Sequence, residues 1–312
     1  MEIPVASTRI CGVIPPIITP LTPEGNIDHD ALAAVVEHLL AGGVDGVFVL
    51  GSTGEVAYLD DSERESVVRT VVDKVAGRVP VLVGAIDTTA GRVIHHARRA
   101  QSLGADAIVA TAPLYAINDS DEIERHFRAI SAASTLPLFA YDIPARVHTK
   151  LPIELLTRLG TEGVLAGVKD SSGDDVNFRR LVAANVRAGR PLMVLTGHEV
   201  VVDGMLLLGA DGVVPGLGNV DPVGYVRLLE TAQAGDWTRA RQEQDRLAQL
   251  FEIVYQADGR SGDAAGVGAF KVAMKHLGVI PTATMAFPVE ELGEAAIARI
   301  CAIVDAALPV SA

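Results

Sequence analysis

The sequence predicts an α/β chain folded as a (β/α)8 TIM barrel with a C-terminal helical extension, and three observations carry that prediction. Eight short apolar runs, at 13–18, 47–50, 81–85, 107–110, 138–141, 164–168, 192–195 and 212–214, recur with amphipathic segments between them. The runs are rich in Val and Ile and bounded by Gly, Pro and Asp, the pattern of strands buried on both faces of a parallel sheet. After about residue 235 the alternation stops and only helical patterns remain. That change divides the chain into a barrel over 1–234 and a helical domain over 235–312. A doubly wound open sheet is the competing architecture, but it would more often have fewer strands and a Gly-rich nucleotide turn after the first.

The helices between the runs have legible starts and stops. Asp28 or Asp30 can cap a first helix whose apolar positions Leu32, Val35, Val36, Leu39 and Leu40 follow the 3.6-residue period, and Gly42-Gly43 ends it. Asp60-Asp61-Ser62 opens a second with Val67, Val68, Val71, Val72 and Val75 on its apolar side. Further helices are expected over 89–103, 119–133, 152–159, 174–189, 198–208 and 222–234. In the C-terminal part Trp237, Ala240, Leu247, Leu250, Phe251 and Val254 line one helix face. Helices follow at 266–278 and 290–307, with 258–268, rich in Gly and Asp, expected as a loop.

Composition narrows the partners. The 312 residues hold 26 Lys and Arg against 39 Asp and Glu, a formal charge of −13 that repels phosphate backbones and anionic headgroups. Neither nucleic acid nor a membrane is an expected partner. Cys11 and Cys301 are the two cysteines, too far apart in sequence for a disulfide framework or a Cys-based metal spacing. The first ten residues lack a cationic start followed by a long apolar core, so no secretory signal is expected. The apolar stretch 201–220 is interrupted by Asp203 and Asp211, which argues against a membrane span. The expected setting is reduced and cytoplasmic.

In a barrel of this kind the active site forms at the carboxyl ends of the strands, so the residues just past each run are the candidates. The second run leads into Gly51-Ser52-Thr53-Gly54-Glu55, the fourth into Thr111-Ala112-Pro113-Leu114-Tyr115, and the fifth into Tyr141-Asp142-Ile143-Pro144-Ala145-Arg146. The sixth delivers Lys169. If 165–169 is a strand, Leu165, Gly167 and Lys169 share a face, with the glycine leaving space next to the amine. Singly, each residue has an ordinary reading: a solvated loop lysine, a capped turn, core tyrosines with hydroxyls at the rim, a surface arginine. Convergence on one mouth changes that, because a lysine beside phenols and hydroxyls suits Schiff-base formation with a ketone. Such use needs a neutral amine, which desolvation between apolar strands favours. A phosphate site at Gly197, Gly216 and Gly218 is a weaker alternative, since no basic residue stands beside those glycines. Adjacent His95 and His96 point in different directions on a helix, and Asp28-His29-Asp30 reads as a helix start, so no metal set is expected. Activity is expected to survive chelators.

Three motifs carry a resemblance to a known family. Gly51-Ser52-Thr53-Gly54-Glu55, Tyr141-Asp142-Ile143-Pro144 and Gly167-Val168-Lys169-Asp170-Ser171-Ser172-Gly173 resemble, in order and spacing, signatures of the dihydrodipicolinate synthase and N-acetylneuraminate lyase family. Its members are pyruvate-dependent class I aldolases, (β/α)8 barrels with a C-terminal helical domain. The resemblance implies that Lys169 is the Schiff-base lysine and Tyr141 the proton donor and acceptor. It implies that Ser52 and Tyr115 are relay partners, with Tyr115 reaching into a neighbouring subunit's site. Thr53 would hold the pyruvate carboxylate, Val214 would make a backbone contact to pyruvate, and the assembly would be a homotetramer without a cofactor.

Arg146, two residues after the Tyr-x-x-Pro proline, resembles the synthases' clamp for a semialdehyde carboxylate, where neuraminate lyases carry an apolar residue. The implied activity is a 4-hydroxy-tetrahydrodipicolinate synthase-like condensation of pyruvate with aspartate semialdehyde. Departures stand against it: Leu114 in place of an aromatic, Val147 in place of a small hydroxyl residue, Ala116-Ile117-Asn118 without the usual proline, and 258–268 without the usual Pro-containing pattern. The alternatives are an aldolase or dehydratase for a 2-keto-3-deoxy sugar acid or N-acetylneuraminate, and a pyruvate or sugar-acid binding protein without turnover.

Overall fold

The computed structural model describes residues 9–257 and 259–308. Position 258 of the expected loop, and most of the N-terminal stretch considered as a signal, lie outside them. Eight parallel strands form one sheet: β1 Gly12–Val13, β2 Val47–Val49, β3 Val81–Gly84, β4 Ala107–Thr111, β5 Leu138–Asp142, β6 Gly167–Asp170, β7 Met193–Thr196 and β8 Gly212–Val213. Their spatial order is β1-β8-β7-β6-β5-β4-β3-β2. A parallel bridge joins Pro16 to Phe48, and the Phe48 N–H donates to the Pro15 carbonyl at 2.9 Å, so the segment after β1 meets β2 at the other end of the sheet. The result is a curled, TIM-barrel-like α/β fold.

The helices are α1 His29–Ala41, α2 Asp61–Val75, α3 Ala90–Ser102, α4 Ser120–Ala133, α5 Pro144–Val147, α6 Ile153–Thr161, α7 Asp175–Arg187, α8 Val202–Leu208, α9 Pro222–Gln233, α10 Trp237–Phe251, α11 Ala269–His276 and α12 Glu294–Ala307. Local chemistry starts several of them. Asp28, not Asp30, caps α1 by accepting from the Ala31 amide at 2.9 Å. Asp60 and Glu63 form a reciprocal capping box on α2, and Asp119 and Glu122 do the same on α4. The apolar faces of α1 and α2 pack inward as their periodicity predicts, with Leu32, Val35, Val36, Leu39, Val67, Val68, Val71 and Val75 all buried.

Four boundaries depart from expectation for identifiable reasons. β1 covers two residues rather than six, because Pro15 and Pro16 lack the amides a ladder needs. β6 begins at Gly167 rather than at 164, with Lys169 near its end as expected. The helix expected from 198 begins at Val202, where Gln244 of α10 accepts from the Val202 amide at 2.7 Å; residues 198–201 become a loop. The expected loop 258–268 contains a π-helical turn at Ala264–Gly268 leading into α11. On α10, Ala240, Leu247 and Leu250 are fully buried as predicted, whereas Trp237 is 38% exposed and stands off that face. α10 packs on α8 and α9, and α12 packs on α10 and α11. Among the described residues no helix is long and apolar enough to cross a membrane.

Candidate active site

Parallel registration of β5 with β6 sets Tyr141 beside Lys169 and Phe139 beside Gly167. Two-residue alternation then makes these pairs successive layers on one side of the sheet. A Cβ on Gly167 would lie 2.3 Å from the Phe139 ring and 2.7 Å from the Met193 carbonyl oxygen. The missing side chain thus makes room for the phenylalanine one layer away, not for the lysine amine as the sequence suggested.

Lys169 is buried, at 5% exposure. Its Nζ lies 3.8 Å from the centroid of the Tyr141 ring and 5.0 Å from that of Phe48. The two rings meet edge to face at 6.2 Å, an arrangement favoured by their quadrupoles. Burial alone pushes the Tyr141 phenol up, yet the Lys169 charge and side-chain interactions with Lys169, Ser52 and Ser171 outweigh it and hold the phenol below its ordinary value of 10.0. The phenol therefore sits among an amine and two hydroxyls that favour its ionised form. Ser171, one residue past β6, joins this cluster without any signal in the sequence beyond the motif.

The residues next to these two face the other way. Asp142 and Asp170 are buried behind Tyr141 and Lys169, and one cation serves both. Lys150 Nζ makes a close contact with Asp142 Oδ2, and reaches Asp170 Oδ2 at 3.2 Å and Ser172 Oγ at 3.1 Å. Burial still holds Asp142 above the usual carboxylate value, with Lys150 opposing and Asp170 adding to the rise. This network fixes the strand ends from behind Tyr141 and Lys169.

Thr53 is partly buried in the turn after β2, which is closed by Gly54 N–H to Gly51 O and Glu55 N–H to Ser52 O, both at 3.0 Å. Thr19 Oγ1 donates to the Gly54 carbonyl at 2.8 Å and fixes the same turn from β1's side. Glu55 takes a left-handed backbone, φ 57°, and its carboxylate leaves the mouth. Oε1 accepts from the Ala286 amide at 2.9 Å, and Oε2 forms a fully buried ion pair with Lys271 of α11. Val214, 3% exposed, follows β8, and its amide donates to the Thr196 carbonyl at 2.8 Å. Tyr115 stands apart: it is 97% exposed at φ 69°, and Ile117 beside it is 95% exposed, so within one chain its phenol lies outside the Tyr141 cluster.

A cavity of about 160 Å³, open to solvent, is lined by Ser52, Tyr58, Thr111, Leu114, Arg146 and Asp263 among others. Ser52 is shared by this cavity and the Tyr141 cluster. Arg146 lies on the short helix α5, missed by the sequence reading, and pairs with Asp263 just before the π-helical turn. The Tyr58 hydroxyl donates to Asp263 Oδ2 at 2.6 Å, and that bond with burial pushes the phenol up to about 12, so it stays a neutral donor.

The loop before α8 brings Glu199 to the same mouth. The residue as a whole is partly accessible, but its carboxylate is the enclosed part: Oε2 accepts from the Leu217 amide at 2.7 Å, and Oε1 fills the space a Cβ on Gly216 would enter. A carboxylate against Gly216 is the opposite of what a phosphate site needs. Burial pushes the Glu199 carboxyl up to about 7 from 4.5, against the Leu217 and Gly216 amides and the Lys169 charge. A carboxyl raised on folding holds its proton longer in the folded chain, so stability is lost as pH rises from about 4.5 to about 7. Glu199→Gln is expected to gain stability over the wild type between about pH 5 and pH 8 in urea unfolding. A difference that does not change with pH would show that the carboxyl titrates ordinarily.

The family model described as the dihydrodipicolinate synthetase family matches residues 9–307. The chain belongs to that family. Members of it are lyases, and this chain is one. It is 34% identical over 293 residues, 93% of this chain and 95% of the relative, to a 4-hydroxy-tetrahydrodipicolinate synthase of Phenylobacterium zucineum. It is 35% identical over 254 residues, 81% of this chain and 83% of the relative, to YagE of Escherichia coli K12, named a putative 2-dehydro-3-deoxy-D-gluconate aldolase. The crystal structure of YagE in complex with pyruvate superposes with a TM-score of 0.90 at 30% identity, covering 96% of this chain and 99% of that one. The family is thus shared by relatives named for two different acceptor chemistries.

Proposed function

We propose that this family member is a pyruvate-dependent lyase that works through a Schiff base on Lys169. The observation that carries the reading is the enclosed Lys169 Nζ, 3.8 Å from the ring centre of a tyrosine whose phenol is held below its ordinary range. The amine attacks the C2 ketone of pyruvate, and loss of water from the carbinolamine leaves the imine. Tyr141 passes the protons of these steps, with Ser52 and Ser171 on its hydroxyl. Removal of a C3 proton gives the enamine, whose C3 attacks an aldehyde carbon while the aldehyde oxygen takes a proton. Hydrolysis then frees Lys169, and no oxidant or reductant is involved. In this reading Thr53, in the turn beside Ser52, holds the pyruvate carboxylate, and the backbone at Val214 contacts pyruvate.

The acceptor has two readings. Arg146 and the synthase relatives support aspartate semialdehyde. The engagement of Arg146 by Asp263 favours an uncharged hydroxylated aldehyde, the partner that a 2-keto-3-deoxy sugar acid releases, and this is the reading we adopt. Exposure of Tyr115 fits an assembly in which it completes a neighbour's site, which we take to be a homotetramer from the family resemblance. We also infer, for the described residues, a closed barrel up to 234 and a helical domain from 235, together with a cytoplasmic setting and no cofactor. The test is borohydride reduction with pyruvate and mass spectrometry. A reduced pyruvate adduct on Lys169 is expected, and its absence from an active, folded sample would end the Schiff-base reading.

A further inference from the structure

The outer wall of the mouth is assembled from three distant parts of the chain. Arg146 Nη1 donates to Asp263 Oδ2 at 3.2 Å, and Nη2 makes a closer contact with Oδ1. Tyr58 adds its hydroxyl to the same Oδ2 at 2.6 Å. Asp263 is 117 residues from Arg146 and 205 from Tyr58 in sequence, and all three line the cavity that Ser52 joins to the Tyr141 cluster. The Asp263 side chain is 13% exposed and that of Arg146 45%.

An arginine with a free fork at this place would bind an acceptor carboxylate through two parallel hydrogen bonds. Here the fork is filled from within. Entry of a carboxylate would require displacing Asp263 or setting a second anion beside it, and such a like-charge juxtaposition works against a ligand. A hydroxyl meets no such obstacle. It can accept from a remaining guanidinium N–H or donate to a remaining lone pair of Asp263, since each group has more hydrogen-bonding capacity than the pair consumes.

We propose that Asp263 is a specificity-determining residue: by holding the Arg146 fork it turns a carboxylate receptor into an electroneutral wall that selects uncharged, hydroxylated aldehydes. Tyr58 is a positioning residue that keeps the Asp263 carboxylate aimed at Arg146. The inference rests on the pyruvate reading above, which fixes the nucleophile, whereas Asp263 fixes the acceptor.

The test compares kcat/KM for pyruvate with three aldehydes: D-glyceraldehyde (neutral), succinic semialdehyde (anionic) and aspartate semialdehyde (zwitterionic). The wild type is expected to prefer glyceraldehyde. Asp263→Asn and Asp263→Ala are expected to raise the succinic semialdehyde to glyceraldehyde ratio at least ~10-fold, because each removes the anion that a substrate carboxylate would be set beside. Tyr58→Phe should move it in the same direction by less. The ratio within one variant does not depend on how much of it folds. An unchanged ratio in both Asp263 variants, or a wild type that prefers either semialdehyde, overturns the inference. Borohydride trapping of the same wild-type sample separates the two levels: no pyruvate adduct overturns the Schiff-base reading, whereas an adduct with an unchanged ratio overturns only the role of Asp263.

Discussion

Tyr141→Phe is expected to lower kcat by ~10²–10⁴-fold, the usual range for a positioned acid–base group. The substitution isolates the hydroxyl. The phenyl ring keeps the edge-to-face contact with Phe48 at 6.2 Å and the face that lies 3.8 Å from Lys169 Nζ, so the amine's enclosure survives. What disappears is the oxygen that Lys169, Ser52 and Ser171 surround. KM for pyruvate should change much less than kcat, because the proposed carboxylate donor Thr53 lies on the turn after β2. The alkaline side of the wild-type pH profile should carry a limb from a phenol titrating below 10.0, and that limb should vanish in the variant. Pre-steady-state trapping adds a check, since carbinolamine dehydration also needs the proton and the adduct should form more slowly. Activity within tenfold of the wild type, with the limb intact, would remove Tyr141 from the proton path.

Local signals made the inner site legible and distance hid the outer one. Lys169, Tyr141 and Ser52 lie within or just past short apolar runs, and a parallel sheet brings successive strand ends together whatever the loops do. Strand pairing alone then places Tyr141 opposite Lys169. The role of Gly167 was misread because alternation shows which residues share a face but not which neighbouring ring needs the room. Asp263 gave no signal: it sits in a segment without periodicity, and its partners are 117 and 205 residues away. Lys150 was equally silent, since its two carboxylates come from different strands. Glu199 was assigned to a helix because the amide cap that delays α8 comes from Gln244 on α10, a contact no local pattern encodes. The role proposed for Tyr115 comes from family resemblance alone, and within one chain the residue is exposed.

Lys271→Met should cost ~3–5 kcal/mol of stability, the range for breaking a buried ion pair from one side. Lys271 and Glu55 are fully buried, with side chains at 0% and 1% exposure. Each also satisfies a backbone group: Lys271 Nζ donates to the Thr284 carbonyl at 2.8 Å, and Glu55 accepts from the Ala286 amide at 2.9 Å. Methionine fills similar volume but leaves the Glu55 carboxylate without a counter-charge in a place where water cannot reach it. The chain must then protonate Glu55, admit water or open the contact between the turn after β2 and α11. Adding Glu55→Gln removes the stranded charge, so the double variant should be more stable than Lys271→Met alone, measured by urea unfolding at one pH. The functional consequence follows from sequence distance. Glu55 lies two residues beyond Thr53, the proposed carboxylate donor, so loosening the turn should raise KM for pyruvate more than it lowers kcat. Full additivity of the two substitutions would mean that the pair does not couple as a unit, and a kcat loss with KM unchanged would mean that it does not hold the turn.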